Sequence, residues 1–397
     1  MIVWQATRLG DICKTNQSTY SPKENWQFVN YLDTGSITMN KINQIQEINT
    51  CKDKLPSRAR RKVQINSIIY STVRPNQNHY GIIKEQPDNF LVSTGFTVID
   101  VDSDKAIPDY VYYILTKKEI TEQLQAIAEQ SVSAYPSIKS SDLENLELIL
   151  PDISTQKKIV SILDSIDKKI NSNNAINNNL LEQVLAIYRH RFVDTTNELR
   201  QICRADEYFD ISIGKTPPRK EPQWFSTNPK DVTWVSISDM GTCGLYISES
   251  SEQLTKEAVD RHNVKIVPDN TVLLSFKLTV GRIAITDGEM TTNEAIAHFK
   301  TDKKEINEYL YCYLKCFNYQ TMGSTSSIAT AVNSKIIKGM PFIVPTDEEI
   351  TEFHSLAASM FARIKANQAE IRNLTLLRDA LLPKLMSGEL NVSDIDL

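Results

Sequence analysis

Hydrophobic positions along the chain follow two periods. Runs such as "INSIIYSTV" (65–73), "FTVIDV" (96–101) and "TVLLSFKLTV" (271–280) are apolar, β-branched or alternating, and predict strands. The stretch "DYVYYILTKKEITEQLQAIAEQ" (109–130) predicts a helix, a Ser/Pro-rich loop follows from Ser131 to Ser141, and "LELILP" predicts a last short strand. From Ile159 the spacing changes to alternating threes and fours: Ile159, Leu163, Ile166, Ile170, Asn173, Asn177, Leu180, Val184, Ile187. This is a coiled-coil seam over four heptads, with asparagine at two central positions. A second seam runs through Phe353, Ala357, Met360, Ile364, Asn367, Ile371, Leu374, Arg378 and Leu381. Each predicted helix has roughly 35–40 residues, about 50–60 Å at 1.5 Å per residue. Pro151 and Pro345 mark where chain leaves the mixed segments. Asp152, Ser154 and Thr155, or Thr346 and Asp347, are placed to cap the helix starts. Pro383 is expected to kink or end the second helix, just before "SGEL" (387–390).

The two seams are copies. Shifted by 194 residues, "LENLELILPDISTQKKIVSILDSIDKKI" (143–170) meets "IKGMPFIVPTDEEITEFHSLAASMFARI" (337–364). Upstream, with small gaps, "YVYYIL" (110–115) resembles "YLYCYL" (309–314), and "VNYLDTGSI" (29–37) resembles "VSISDMGTC" (235–243). "IIYSTVRPNQNHYGIIK" (68–84) likewise resembles "VLLSFKLTVGRIAIT" (272–286). The order of these pairs establishes a tandem duplication. The expected fold class is α+β: a mixed α/β unit of about 150 residues and a long helix, twice over. The domains are residues 1–151, a helix over 152–195, residues 196–345, and a helix and tail over 346–397. Neither helix can bury its stripe on one small domain, so the two are expected to pack on each other. Antiparallel pairing turns the duplication into an approximate two-fold axis near Asn173 and Asn367. Those amides then either pair in the seam and fix its register, or face water.

The asparagine-rich segment "NSNNAINNN" (171–179) reads by composition as a flexible linker, yet it falls inside the first seam. A rigid rod with a related unit at each end suits a ligand with two half-sites, and DNA is the obvious one. The net charge of −5 argues against a uniformly basic surface but leaves room for local patches. The composition is that of a soluble globular protein, with 41% hydrophobic and 23% charged residues. No apolar run reaches the roughly 18 residues of a membrane span. The start "MIVWQATRLGDICKT" lacks the pattern of a signal peptide, so a cytoplasmic protein is expected. The six cysteines and five histidines show no metal-site spacing and read as reduced thiols and dispersed imidazoles.

Catalytic motifs are absent from the sequence. There is no G-x-G-x-x-G, Walker pattern, G-x-S-x-G or H-E-x-x-H, and "NPK" (228–230) lacks the aromatic residue of an amino-methyltransferase loop. The chain alone is expected not to be an enzyme. Basic and polar clusters stand out instead. In "KDKLPSRARRK" (52–62), Arg58, Arg60, Arg61 and Lys62 suit phosphate oxygens. In "RPNQNHY" (74–80), Arg74, Asn76, Gln77, Asn78, His79 and Tyr80 include the types that read guanine and adenine edges. The alternative is a solvated hairpin tip. The second unit offers Lys215, Thr216, Arg219 and Lys220 in "GKTPPRK" (214–220), then Lys277, Arg282, Ser324 and Ser326. The units differ most in these loops, as two readers of different half-sites should.

With these marks the chain resembles the specificity subunits of type I restriction-modification systems. The resemblance rests on "LGDI" (9–12), "GKTPPR" (214–219), the two unit ends "LELILPDISTQKKIVSILDSIDKKI" and "MPFIVPTDEEI", and above all "LRDALLPKLMSGEL" (377–390). It implies two target-recognition domains reading a bipartite, asymmetric site in double-stranded DNA, with the helices setting the unread spacer. It also implies two modification subunits, which bind S-adenosylmethionine and methylate a flipped adenine. Restriction subunits using ATP and Mg would translocate and cleave. The chain itself would carry no cofactor and no metal. Two other readings stay open: a specificity protein serving a fused methylase-nuclease, and a dimerisation scaffold that touches no DNA.

Overall fold

The computed structural model describes residues 4–131, 135–194, 200–322 and 332–392. The chain divides into two compact units. One comprises the residues up to Lys168 together with those from Thr375 onward; the other is Lys169–Leu374.

In the first unit, strand Phe96–Val101 lies between Ile68–Ser71 and Cys13–Thr15, antiparallel to both, and Ile68–Ser71 continues to Tyr80–Ile82. A second sheet sets Phe28–Leu32 antiparallel to Gln46–Asn49 and parallel to Phe90–Ser93, whose far edge takes Ala59–Lys62. The pair Gln5–Arg8 and Glu147–Leu150 closes the unit. Ile68 and Tyr70 join one hydrophobic cluster with Tyr110 and Val111, while Ile69 joins another with Phe96 and Val98. Both faces of the strand are therefore covered, which is why "IIYS" reads as continuous rather than alternating.

The second unit repeats this plan. Ile296–Lys300 lies between Asp210–Ile213 and Val272–Ser275, which continues to Ile283–Thr286. Val232–Val235 pairs antiparallel with Glu252–Leu254 and parallel with Thr291–Thr292. Ile202–Arg204 and Pro341–Ile343 form the closing pair. The duplication legible in the sequence is thus a duplication of central strand order, with different edges: the second copy adds Tyr246–Ile247 and Phe225–Ser226, and among the described residues it has no strand in the place of Ala59–Lys62.

The helix expected over 109–130 is two, Pro108–Leu115 and Lys118–Glu129. Thr116 makes the break: its hydroxyl donates to the Tyr113 carbonyl at 3.2 Å and Lys117 turns extended. The first piece is buried on most sides and the second only through Leu124 and Ala128, so the two serve different packing.

The long helices are Ile153–Tyr188, 36 residues, and Asp347–Ser387, 41 residues. Asp152 caps the first, accepting from the Thr155 amide at 3.0 Å and hydroxyl at 2.9 Å. Thr346 and Glu349 cap the second reciprocally. The second helix continues through Pro383 and ends at Ser387, where Gly388 adopts φ +75 against the Trp4 ring. Of the two outcomes expected of the proline, a kink or an end, the end does not occur. Every position of both predicted seams is buried or half-buried. In the first unit Ile159 and Leu163 share a core with Leu385 and Met386. In the second, Val184 shares one with Phe353, Ala357 and Ile364. Ile166 is buried, and Ile170, Leu180, Met360, Ile371 and Leu374 are half-buried.

Asn173 and Asn367 are fully buried, at 0% and 1% exposure, which removes the solvent-facing alternative for both. Nor do they bond each other, the other alternative. Asn173 Nδ2 donates to Glu370 Oε2 and Asn367 Nδ2 to Asn177 Oδ1, both at 2.8 Å. Asn173 Oδ1 is left buried without a hydrogen-bond partner. Glu370 also attracts Lys169 at 3.5 Å, and a carboxylate is a stronger acceptor than an amide, so it draws Asn173 away from the direct pair. Asn171, Asn174, Asn178 and Asn179 are exposed.

Candidate nucleic-acid interface

In the first unit the basic run becomes strand Ala59–Lys62, an edge of its sheet. Arg58, just before it, is exposed, and Arg60 is half-buried. Among the described residues neither forms an ion pair. Arg61 is different: its Nε is buried without a partner, and burial pulls its pKa below the ordinary arginine value. Lys62 pairs with Glu24 and stands 5.1 Å from the Trp26 ring centroid, so its charge is already matched inside the fold.

The polar run 74–80 folds as a single 3-10 turn, Pro75–Gln77, joining Ile68–Ser71 to Tyr80–Ile82. Arg74 and Asn78 flank it, both at positive φ, +48 and +56. Arg74 is exposed, with its guanidinium 5.1 Å from the Tyr135 ring centroid. Asn76 and Gln77 are exposed and Asn78 is half-buried. The remaining two residues turn inward. His79 Nδ1 lies 2.6 Å from the Ile37 carbonyl and 3.2 Å from the Thr38 hydroxyl. Tyr80 is 4% exposed and stacks on Tyr70 at 5.5 Å between ring centroids. Tyr80 thus leaves the set of surface readers: the last letter of the polar run already belongs to a core strand.

In the second unit Lys215 and Lys220 are exposed, but the residues between them are tied down. Thr216 donates to Glu294. Arg219 binds Glu252 through two parallel bonds of 2.8 Å, with its guanidinium over Phe225 and Trp234 at 4.1 and 4.7 Å. Glu252 raises the Arg219 pKa, and Arg219 is a matched charge rather than a free one. Arg282 is half-buried and donates from Nη1 to the Ile237 carbonyl at 2.6 Å. Gly241 leaves room for it: a Cβ there would lie 2.4 Å from Nη1, and the guanidinium would have to shift. Lys277 is exposed at the tip of the hairpin between Val272–Ser275 and Ile283–Thr286. Ser324 and Ser326 lie outside the described residues.

Each unit therefore presents a hairpin tip, and among the described residues no ion pair engages Arg58, Arg60 and Arg74 in the first or Lys215, Lys220 and Lys277 in the second. Sequence reasoning missed Leu278 in the second tip, which is 99% exposed. Its alignment with the "RPNQNHY" hairpin was the available signal. Among the described residues no group of three or more His, Cys, Asp or Glu side chains could hold a metal ion. Nor is any described helix long and apolar enough to cross a membrane.

The chain is 25% identical to the HindI specificity subunit of Haemophilus influenzae, over 98% of this chain and 99% of that one. It is 26% identical to the MjaIX specificity subunit of Methanocaldococcus jannaschii, over 80% and 76%. A crystal structure of a type I restriction-modification S subunit from M. genitalium superposes with a TM-score of 0.55, covering 97% of this chain and 96% of that one at 14% identity, a likeness of fold. The family model described as the type I restriction modification DNA specificity domain matches twice, over residues 1–182 and 198–371. With the match falling once on each copy of the duplicated scaffold, the chain belongs to the type I restriction-modification specificity family.

Proposed function

We propose that the chain is the non-catalytic DNA-recognition subunit of a type I restriction-modification complex, reading a bipartite, asymmetric site with one half-site per unit. The observation that carries this is one sheet-and-hairpin scaffold built twice, with different exposed side chains at the two tips. A scaffold kept while its tips diverge is what two sequence-different half-sites require. The long helices pair antiparallel as a coiled coil with an approximate two-fold and set the unread spacer. The seams buried along both helices support that pairing.

Two methyltransferase subunits, carrying S-adenosylmethionine, are the partners that act on adenine. Restriction subunits with ATP and Mg act on the DNA beyond. This chain contributes neither chemistry. Methylation mapping with the chain and its methyltransferase partner tests the reading. A motif of two parts with a fixed gap is expected, and a continuous motif rejects it. Exchanging residues 1–150 for those of a relative should change one part and leave the gap unchanged.

A further inference from the structure

The second hairpin tip contains a strained turn. The Thr279 amide donates to the Lys277 carbonyl at 2.6 Å, enclosing Leu278 at φ +60. This is a three-residue γ-turn of the rare positive-φ kind, which a branched side chain adopts at a cost. Leu278 is nevertheless 99% exposed, so no packing within the unit compensates. Glycine would fit this backbone without strain.

The first unit holds the same turn position. Ser71 and Ser275 end equivalent strands, paired with Phe96 and Ile296. Each closes its hairpin by an amide bond of 2.9 Å, to the His79 and Arg282 carbonyls. Each buried serine hydroxyl also donates into the turn, to the Val73 carbonyl at 3.0 Å and the Thr279 carbonyl at 2.6 Å. Three residues beyond each serine stand Arg74 and Leu278, both at positive φ. The serine-closed position and the positive φ are shared; the turn itself is not, because Pro75 after Arg74 has no N–H to close a γ-turn, and neither is the side-chain chemistry.

We infer that this position reads a base in each unit, Leu278 contacting the 5-methyl group of a thymine in the major groove and Arg74 the acceptor edge of a guanine. The inference rests on the DNA-recognition reading above. Three roles can be compared. A phosphate contact calls for a cation in both units, and Leu278 is none. A wedge between stacked bases calls for an apolar side chain in both, and Arg74 is none. Readout of different bases from one hairpin position, three residues beyond the strand-ending serine, accommodates both residues. Lys277, beside Leu278, is placed for the adjacent phosphate.

The test uses the full chain assembled with its methyltransferase partner on the mapped site. Each thymine of the second unit's half-site is replaced in turn by deoxyuridine, which lacks only the methyl group. At one position the wild-type assembly should lose about threefold to fivefold in affinity, the worth of one buried methyl. With Leu278→Gly that replacement should cost nothing further, and preference should relax at that base pair alone. Because glycine suits the turn, this variant should melt no lower than wild type, which separates reading from folding. If deoxyuridine costs the wild type nothing at every thymine, or Leu278→Gly weakens all sequences equally, the assignment falls. A wild-type assembly without a bipartite motif would instead overturn the DNA-recognition reading itself.

Discussion

Arg378 of the second long helix donates from Nη1 to Asp167 Oδ1 of the first at 2.9 Å, and Asp167 Oδ2 accepts from the Tyr113 hydroxyl at 2.7 Å. Arg378 occupies a seam position where an apolar residue is the rule. Burial alone would lower its pKa, but the hydrogen bond and charge of Asp167, with Asp379, more than offset this and raise it. The arginine is thus not a fault in the seam but one partner of a half-buried ion pair that also anchors the helix Pro108–Leu115 through Tyr113.

Removing that arginine should leave a carboxylate short of a partner. Arg378→Ala is expected to lower the unfolding free energy by about 1.5–3 kcal/mol, the range for hydrogen bonds to charged groups. Adding Asp167→Asn should return part of the loss, because the orphaned charge is gone. Urea denaturation of the single and double variants gives the comparison. Equal stability of wild type and Arg378→Ala would show the pair to be dispensable.

The basic strand should not act on DNA as a block. Arg58→Ala and Arg60→Ala are each expected to reduce the slope of log affinity against log salt by about 1, the loss of one phosphate contact. Lys62→Ala should change the slope much less, since Glu24 already matches that charge. Binding of the assembled complex to its site, titrated over a range of salt, distinguishes the three. Identical slopes for all three variants would show that Glu24 does not withhold Lys62 from DNA.

His298 predicts an acid sensitivity in the second unit. It is fully buried between the Ser212 hydroxyl, 3.0 Å from Nδ1, and the Thr292 hydroxyl, 2.7 Å from Nε2. Burial, with a smaller contribution from Lys300, pushes its pKa down to about 3. An unfolded chain has histidine near 6.5 and so binds the proton that the folded state refuses. This contribution to stability is complete above that value and declines as pH falls from about 6.5 toward 3, by about 1.4 kcal/mol per unit. His298→Gln, which cannot take up the proton, should show a shallower loss of stability between pH 7 and 5. The pH slope, rather than the absolute stability of the variant, is the quantity to compare by denaturation.

The parts of this fold that were legible in the sequence are those governed by spacing. The seams from Ile159 and Phe353 could be read because helical period alone decides which side chains face inward. The strand duplication could be read because paired segments kept their order. What spacing does not carry was left open or misread. Spacing leaves open whether Asn173 and Asn367 pair or face water; they do neither, and the acceptor that wins Asn173, Glu370, is charged and lies off the seam pattern. Tyr80 was grouped with its polar neighbours, although a strand begins there and turns it into the core. Arg219 looked like a free cation because its partner Glu252 is distant in sequence and adjacent only in the sheet region. Leu278 looked like one more strand leucine, since a positive φ outside glycine is set by the closed hairpin and not by local preference.

The division of the chain also bears on how it is made. The second unit is one uninterrupted stretch, Lys169–Leu374, whereas the first draws its core from both sides of that stretch. Leu385, Met386 and Val392 pack in the same cluster as Leu9, Tyr110 and Leu163. During synthesis the residues up to Lys168 emerge well before those from Thr375 onward, and lack part of their own interior until that later segment leaves the ribosome. The later-made unit can therefore complete itself before the earlier one, and a nascent chain stopped before Thr375 would hold one finished unit and one with an open hydrophobic face.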